Sequence, residues 1–185
     1  DGKGQVFARV SRRDAAPAAA APAAAAPKPV AAAPAEKPAA AAPAASAVPA
    51  AAAAEPAWLG IARGEIGQKE APGGADNPSI VEYFAWTSLG PKPDAVAWCG
   101  AFVSFCLGKA GVIAKGKGSA RAADWLDFGD PLAGPKPGCV VVLEPQAVGA
   151  SGHVGFWVKE QGGLLHLLGG NQNDSVNITP YPVAE

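Results

Sequence analysis

The segment that decides the fold reads AWCGAFVSFCL and spans residues 97–107. It is apolar almost all the way round at helical spacing, which predicts a helix buried in the core. Cys99 falls in the first turn of that helix, where unpaired backbone N–H groups and the positive end of the helix dipole favour a thiolate. Two interpretations of Cys99 remain open from this segment alone: a nucleophile, or a small apolar side chain packed in the core.

Helical patterns surround this segment. Asn77 followed by Pro78, for example, is typical of a helix cap and the first helical residue. In chain order the predicted helices are an amphipathic helix from Pro56 to about Gly67, a helix that Asn77 caps, the buried helix from Trp98 to Gly111, and a short helix over residues 120–128 that Ser119 caps.

Strand patterns follow the helices. Residues 139–143 read CVVVL, a continuous apolar run that predicts a strand buried on both sides. Two apolar segments, 152–158 and 164–168, flank a Gly-Gly pair and predict a hairpin, and residues 175–178 predict one more short strand. Helices first and strands second indicate an α+β domain over residues 56–185, with N-terminal helices packed on an antiparallel sheet.

The first third of the chain has a different composition. Residues 1–13, DGKGQVFARVSRR, contain a strand-like segment that resembles the closing strand of a bacterial SH3-type wall-binding module. Residues 14–55 are mostly Ala and Pro. Because prolines interrupt any long helix and no large apolar side chain is available for burial, we expect a disordered, semi-rigid linker there.

Charge and cysteine content exclude several function classes. Residues 1–55 hold six Lys/Arg and four Asp/Glu, and residues 56–185 hold nine and twelve, so neither part has the strongly basic character of a nucleic-acid-binding domain. Three cysteines without a CxxC pair do not have zinc-site spacing, so we expect no metal and no cofactor. A bridge between Cys106 and Cys139 stays possible.

The Ala/Pro tract is unsuited to a membrane span. The chain opens on Asp1 and shows no signal peptide, so we expect a fragment or a processed form.

A cysteine nucleophile requires a base and a group that orients the base. His153 is the candidate base, since it begins a predicted strand after a Ser-Gly turn. Asn171 is the candidate orienting residue, with His166 as the alternative. Side chains alternate along a strand, and 166 and 171 have opposite parity, which favours Asn171 unless the intervening glycines form a bulge.

Four motifs occur in order: Trp98-Cys99-Gly100-Ala101-Phe102-Val103, Pro137-Gly138-Cys139-Val140-Val141-Val142, Gly152-His153-Val154-Gly155-Phe156 and Leu168-Gly169-Gly170-Asn171-Gln172. Together they resemble the CHAP and NlpC/P60 superfamily of papain-like cysteine amidohydrolases. They are most similar to a bacterial and phage CHAP-like group with a Trp-Cys-x-Ala-Phe motif and a Gly-Gly-Asn-Gln motif. The strand motif of these families usually reads Pro-Gly-Asp, and Cys139 replaces the acid here.

The resemblance implies a papain-like fold, with Cys99 as nucleophile, His153 as general base and Asn171 as orienting residue. It implies peptidoglycan as substrate, cleaved at the muramoyl–L-alanine amide or within the stem peptide or cross-bridge, and hence a monomer working in the periplasm or outside the cell. For Trp98, beside the nucleophile, we predict substrate contact, with burial in the core as the alternative. The rival functions are a papain-like protease or deacylase with another substrate, and a non-catalytic wall-binding module.

Overall fold

The computed structural model describes residues 5–10, 55–144 and 152–182. They belong to one compact unit that combines helices with a sheet, so the predicted α+β class is confirmed. Nearly all of the predicted linker, residues 14–55, lies outside the described residues. No helix in the described part of the chain has the length and apolar character that a membrane crossing needs.

The described residues contain three α-helices, α1 (Ala57–Gly64), α2 (Pro78–Phe84) and α3 (Cys99–Lys109), and α3 packs against both of the others. The predicted cap of α2 is confirmed, because the Asn77 side chain accepts a hydrogen bond from the backbone N–H of Ser79 at 2.9 Å. Helix α3 is buried from Cys99 to Gly108, as its apolar sequence predicts. A short 3₁₀ turn spans Pro72–Gly74.

The predicted fourth helix over residues 120–128 is wrong. The structure has a 3₁₀ turn there, Ala122–Trp125, four residues long. In an α-helix capped by Ser119, the carbonyl of Ser119 would accept a backbone N–H one turn later. Instead it accepts the Trp125 indole N–H at 3.2 Å and the Ser104 hydroxyl at 3.0 Å, so tertiary hydrogen bonds replace the helical one.

The sheet has six strands in the order β2-β1-β3-β4-β5-β6. Their bounds are β1 (Gln5–Val10), β2 (Asp130–Pro131), β3 (Val140–Leu143), β4 (His153–Gln161), β5 (Leu164–Gly169) and β6 (Asn177–Pro182). Strands β3 to β6 are antiparallel, and the β4–β5 hairpin turns through Gly162 and Gly163, both at positive φ, as predicted. The last strand begins later and runs longer than the sequence predicts.

Strand β1 is the strand that the sequence predicts near the N-terminus. It runs parallel to β3, with Ala8 opposite Val141, and it also pairs with β2. In the structure it therefore extends the sheet of the 56–185 domain. That it closes a preceding SH3-like module stays a prediction.

Alternate residues of β3 to β5 face the helices. The candidate site around Cys99 lies where this face meets the start of α3. Val142 of β3 pairs with Val154 of β4, and both belong to the core cluster that contains α3. A second cluster, which includes Val141 and Leu167, forms on the opposite face. All three cysteines are free and buried, so the possible Cys106–Cys139 bridge is absent.

Candidate active site

Cys99 is the first residue of α3 and is 7% exposed. The first hydrogen bond of the helix joins the Phe102 N–H to the Trp98 carbonyl at 2.9 Å, so the N–H groups of Cys99 and Gly100 have no partner within the helix. Those two N–H groups, together with the N–H of Val154 in β4, lower the pKa of the Cys99 thiol. The thiol therefore lies where the N-terminus of α3 meets the start of β4.

The protonation state of Cys99 differs from the sequence expectation. Burial raises the pKa of the thiol above its usual value, whereas the N–H groups of Val154, Gly100 and Cys99 itself lower it by a smaller amount. The helix terminus acts in the expected direction, but loss of hydration outweighs it. Burial therefore opposes the thiolate that the helix terminus favours.

His153 begins β4, directly before Val154, whose N–H lowers the pKa of the Cys99 thiol. Its Nε2 lies 3.1 Å from Oε1 of Gln172. His153 is thus the sequence neighbour of a residue that acts on the thiol, and its role as a base stays a prediction. The amide that holds its ring belongs to Gln172.

The orientation of the Gln172 amide is fixed by its surroundings. Its Nε2 donates to the backbone carbonyls of Asn177 at 2.7 Å, Gly169 at 3.2 Å and Leu167 at 3.4 Å. Carbonyl oxygens only accept hydrogen bonds, so Nε2 must point toward them and Oε1 toward the imidazole. His153 consequently carries its proton on Nε2, and Nδ1 is the basic nitrogen of the neutral ring.

Asn171, the predicted orienting residue, occupies the turn between β5 and Gln172. Its φ is 58°, in the left-handed region, and no side-chain hydrogen bond of Asn171 occurs within the described residues. The alternative, His166, pairs with Lys159 in the sheet. That position is six residues along β4 from His153, about 20 Å away.

The sequence contained a signal for Gln172 that the parity argument missed. Gln172 is the last residue of the Gly-Gly-Asn-Gln motif, and the count along β5 fails because the strand ends at Gly169 and the chain turns at Asn171. The turn directs Gln172 back under the strand, where its side chain is 4% exposed. A polar side chain that is so deeply buried is expected to be fully hydrogen-bonded, as Gln172 is.

The two glycines of this motif pack where a side chain would collide. A Cβ on Gly169 would lie 3.0 Å from Nε2 of His153 and 3.2 Å from Oε1 of Gln172. A Cβ on Gly170 would lie 2.6 Å from the Trp98 ring and 2.7 Å from Cβ of Phe102. Gly169 and Gly170 therefore allow the turn to lie close to His153 and to α3.

Trp98 belongs to the core. It is 0% exposed, and its indole N–H donates to Oε1 of Glu70 at 2.9 Å. Its ring packs against that of Tyr83, with centroids 5.9 Å apart. Burial raises the pKa of the Glu70 carboxyl, against the lowering effect of the Trp98 hydrogen bond. Trp98 exposes no surface to a ligand in this structure, so the predicted substrate contact is absent from it. The buried Trp98 side chain instead anchors the residue before Cys99 in the core.

Comparisons of the chain with protein-family models, with curated proteins and with solved structures find no match. The chemistry of the site therefore has to be argued from its own geometry. Within the described ranges, no group of three or more His, Cys, Asp or Glu side chains is arranged to hold a metal ion. What the described residues do assemble is a thiol at a helix N-terminus, an oriented imidazole and several backbone N–H donors.

Proposed function

We propose that this protein is a cysteine amidohydrolase with a papain-like arrangement, and that it hydrolyses an amide bond in peptidoglycan. One observation carries the proposal. The N–H of Val154, the residue after His153, acts on the Cys99 thiol, while Gln172 holds the His153 ring with Nδ1 as its basic nitrogen. A thiol, an imidazole and an orienting amide are the three groups that thiol catalysis requires, and they support the proposal.

The raised pKa of the thiol determines the first step. Because Cys99 rests as a thiol, Nδ1 of His153 takes the Sγ proton as sulfur attacks the carbonyl carbon of the substrate. The C–N bond then breaks, and the imidazolium gives its proton to the leaving amine. Water attacks the thioester, its proton returns to sulfur by way of His153, and a carboxylic acid leaves. Gln172 stabilises the imidazolium because its Oε1 accepts a hydrogen bond from the Nε2–H throughout.

Backbone N–H groups supply the donors for the oxyanion. Those of Cys99 and Gly100 lower the pKa of the Cys99 thiol, and neither has a partner within the helix. When the sulfur bonds to carbon, negative charge moves to the carbonyl oxygen beside it. We assign the Cys99 N–H as the first donor and propose the neighbouring Gly100 N–H as the second.

The choice of substrate depends on the resemblance in sequence. Three of the four motifs contain the proposed site residues, Cys99, His153 and Gln172, the last at the end of the final motif. Peptidoglycan as partner implies activity in the periplasm or outside the cell, and we propose a monomer because Cys99, His153 and Gln172 come from one chain. The muramoyl–L-alanine amide and an amide of the stem peptide or cross-bridge are both candidate targets.

The test uses purified peptidoglycan digested in H₂¹⁸O, with the fragments analysed by mass spectrometry. Hydrolysis of one amide type should produce a new amine and a carboxyl group that carries ¹⁸O, and the masses identify the amide. His153→Ala should abolish these products, whereas the control His166→Ala should retain them. Absence of labelled fragments with the wild-type protein would refute peptidoglycan hydrolysis, and equal loss in both histidine variants would refute the assigned base.

A further inference from the structure

Tyr181 of β6 contacts both partners of the His153–Gln172 hydrogen bond. Its ring stacks on the imidazole, with centroids 5.7 Å apart and planes inclined by 28°. Its hydroxyl donates to Oε1 of Gln172 at 2.9 Å, the same oxygen that lies 3.1 Å from Nε2 of His153. One side chain therefore contacts the face of the ring and the acceptor at its edge.

Strand β6 also supports Gln172 from the other end of its amide. Asn177 accepts from Nε2 of Gln172 with its backbone carbonyl at 2.7 Å and with Oδ1 at 3.1 Å. Its own side-chain nitrogen donates to the Gln172 carbonyl at 2.7 Å, and the Thr179 hydroxyl donates to its Oδ1 at 2.6 Å. The amide nitrogen is thus held by Asn177 and the amide oxygen by Tyr181.

We propose that Tyr181 is a positioning residue that restrains the His153 ring and keeps its proton on Nε2. Stacking restricts rotation of the ring, and the hydroxyl fills the second acceptor direction of Oε1, so the amide stays where His153 can donate to it. The expected effect on turnover rests on the proposed function. The position of the proton on His153 is a property of the resting protein, so it does not depend on that function.

The protein offers a direct readout of this proton, because it contains two histidines. Long-range ¹H–¹⁵N spectra of the labelled chain distinguish a protonated Nε2 from a protonated Nδ1, and His166→Gln assigns the remaining signals to His153. In the wild-type protein, at a pH where the ring is neutral, we expect protonation of Nε2. Tyr181→Leu, which removes both contacts, should give a mixture of the two tautomers.

Tyr181→Phe separates the two contacts, since it keeps the stacked ring and removes the hydroxyl. We expect the Nε2 tautomer to persist, and the Nε2 proton resonance to shift because Oε1 has lost its second donor. The matched control is Tyr83→Phe, which removes a tyrosine hydrogen bond to Glu65 at 2.7 Å and should leave the His153 signals unchanged.

Activity provides the second readout. Tyr181→Phe should lower kcat about threefold, the scale of one neutral hydrogen bond. Tyr181→Leu should lower kcat about a hundredfold with little change in KM, because a misplaced base slows the chemical step. Wild-type tautomer signals in Tyr181→Leu would overturn the proposal, and if that variant does not fold, an unshifted Nε2 proton in Tyr181→Phe would do so. An inactive wild-type protein with the expected spectra would refute the proposed function and leave the role of Tyr181 standing.

Discussion

Cys99 and Cys106 lie on the same helix, about two turns apart, and both are buried. Burial raises the pKa of both thiols, and it does so most for Cys106, where the Glu65 carboxylate adds to the effect. The difference is in the backbone N–H groups that act on each thiol. Those of Cys99, Gly100 and Val154 lower the pKa of Cys99, whereas Cys106 has only its own backbone N–H to lower its pKa.

Burial alone does not distinguish the proposed nucleophile, Cys99, from a packing cysteine such as Cys106. The end of the helix does, because its first N–H groups have no helical partner and can interact with a sulfur or an oxyanion. Further along α3 the backbone groups have helical partners. The carbonyl of Cys106, for example, accepts the Ala110 N–H at 3.1 Å. The following predictions test how far this difference between the two thiols extends.

The largest expected effect is on hydrolysis. Cys99→Ala should lower kcat by about 10⁴-fold or more, as removal of a nucleophile does in related chemistry. Cys106→Ala should leave kcat unchanged while lowering the free energy of unfolding, because it opens a small cavity in the core. Release of peptidoglycan fragments and chemical denaturation measure the two quantities. Substantial turnover by Cys99→Ala would show that the two thiols do not differ in function.

The next effect concerns the orientation of His153, the proposed base. Gln172→Ala should lower kcat about a hundredfold, since the His153 ring loses its acceptor and its fixed orientation. Asn171→Gly, which suits the left-handed backbone at that position, should reduce kcat far less. Steady-state kinetics on the two purified variants decide between them. The reverse ranking would return the orienting role to Asn171.

Alkylation measures the reactivity of the two thiols directly. Iodoacetamide should modify Cys99 about tenfold or more faster than Cys106, whose pKa is raised further and whose side chain is 0% exposed. The Cys99 rate should still be rising at pH 9, because its pKa lies above that ordinary value. Peptide mapping by mass spectrometry gives both rates. A plateau below pH 8 would instead indicate an ion pair with His153 in the resting protein.

The smallest effect is on stability at alkaline pH. The folded protein holds the protons of its buried thiols above the pH at which the unfolded chain releases them, so the thiols favour unfolding as the pH rises past about 9. Each contributes a slope of at most about 1.4 kcal/mol per pH unit. Urea unfolding from pH 8 to 10.5 should show the decline, and Cys106→Ala should make it shallower. Identical slopes in wild type and variant would contradict the raised pKa of Cys106.

Much of the fold could be predicted because local patterns determine it. The continuous apolar run after Cys99 requires a buried helix, and Asn77 caps the helix that begins at Pro78. The turn between β4 and β5 needs two positive φ angles, which Gly162 and Gly163 supply. The fourth helix failed for the opposite reason. The Ser119 hydroxyl still accepts the Arg121 N–H at 3.1 Å, but the Ser119 carbonyl accepts the Trp125 indole N–H and the Ser104 hydroxyl, so no α-helix continues from it.

Periodicity and turn residues are local properties, and they predict that Cys99 begins a buried helix and that His153 begins a strand. The folded chain alone reveals that Gln172 rather than Asn171 reaches the imidazole, that Tyr181 stacks on it, and that Trp98 is buried over Glu70. Each of these depends on a turn or a strand pairing that brings distant residues together. The protonation of Cys99 belongs with them, because the loss of hydration that raises its pKa arises only when α3 packs against β4.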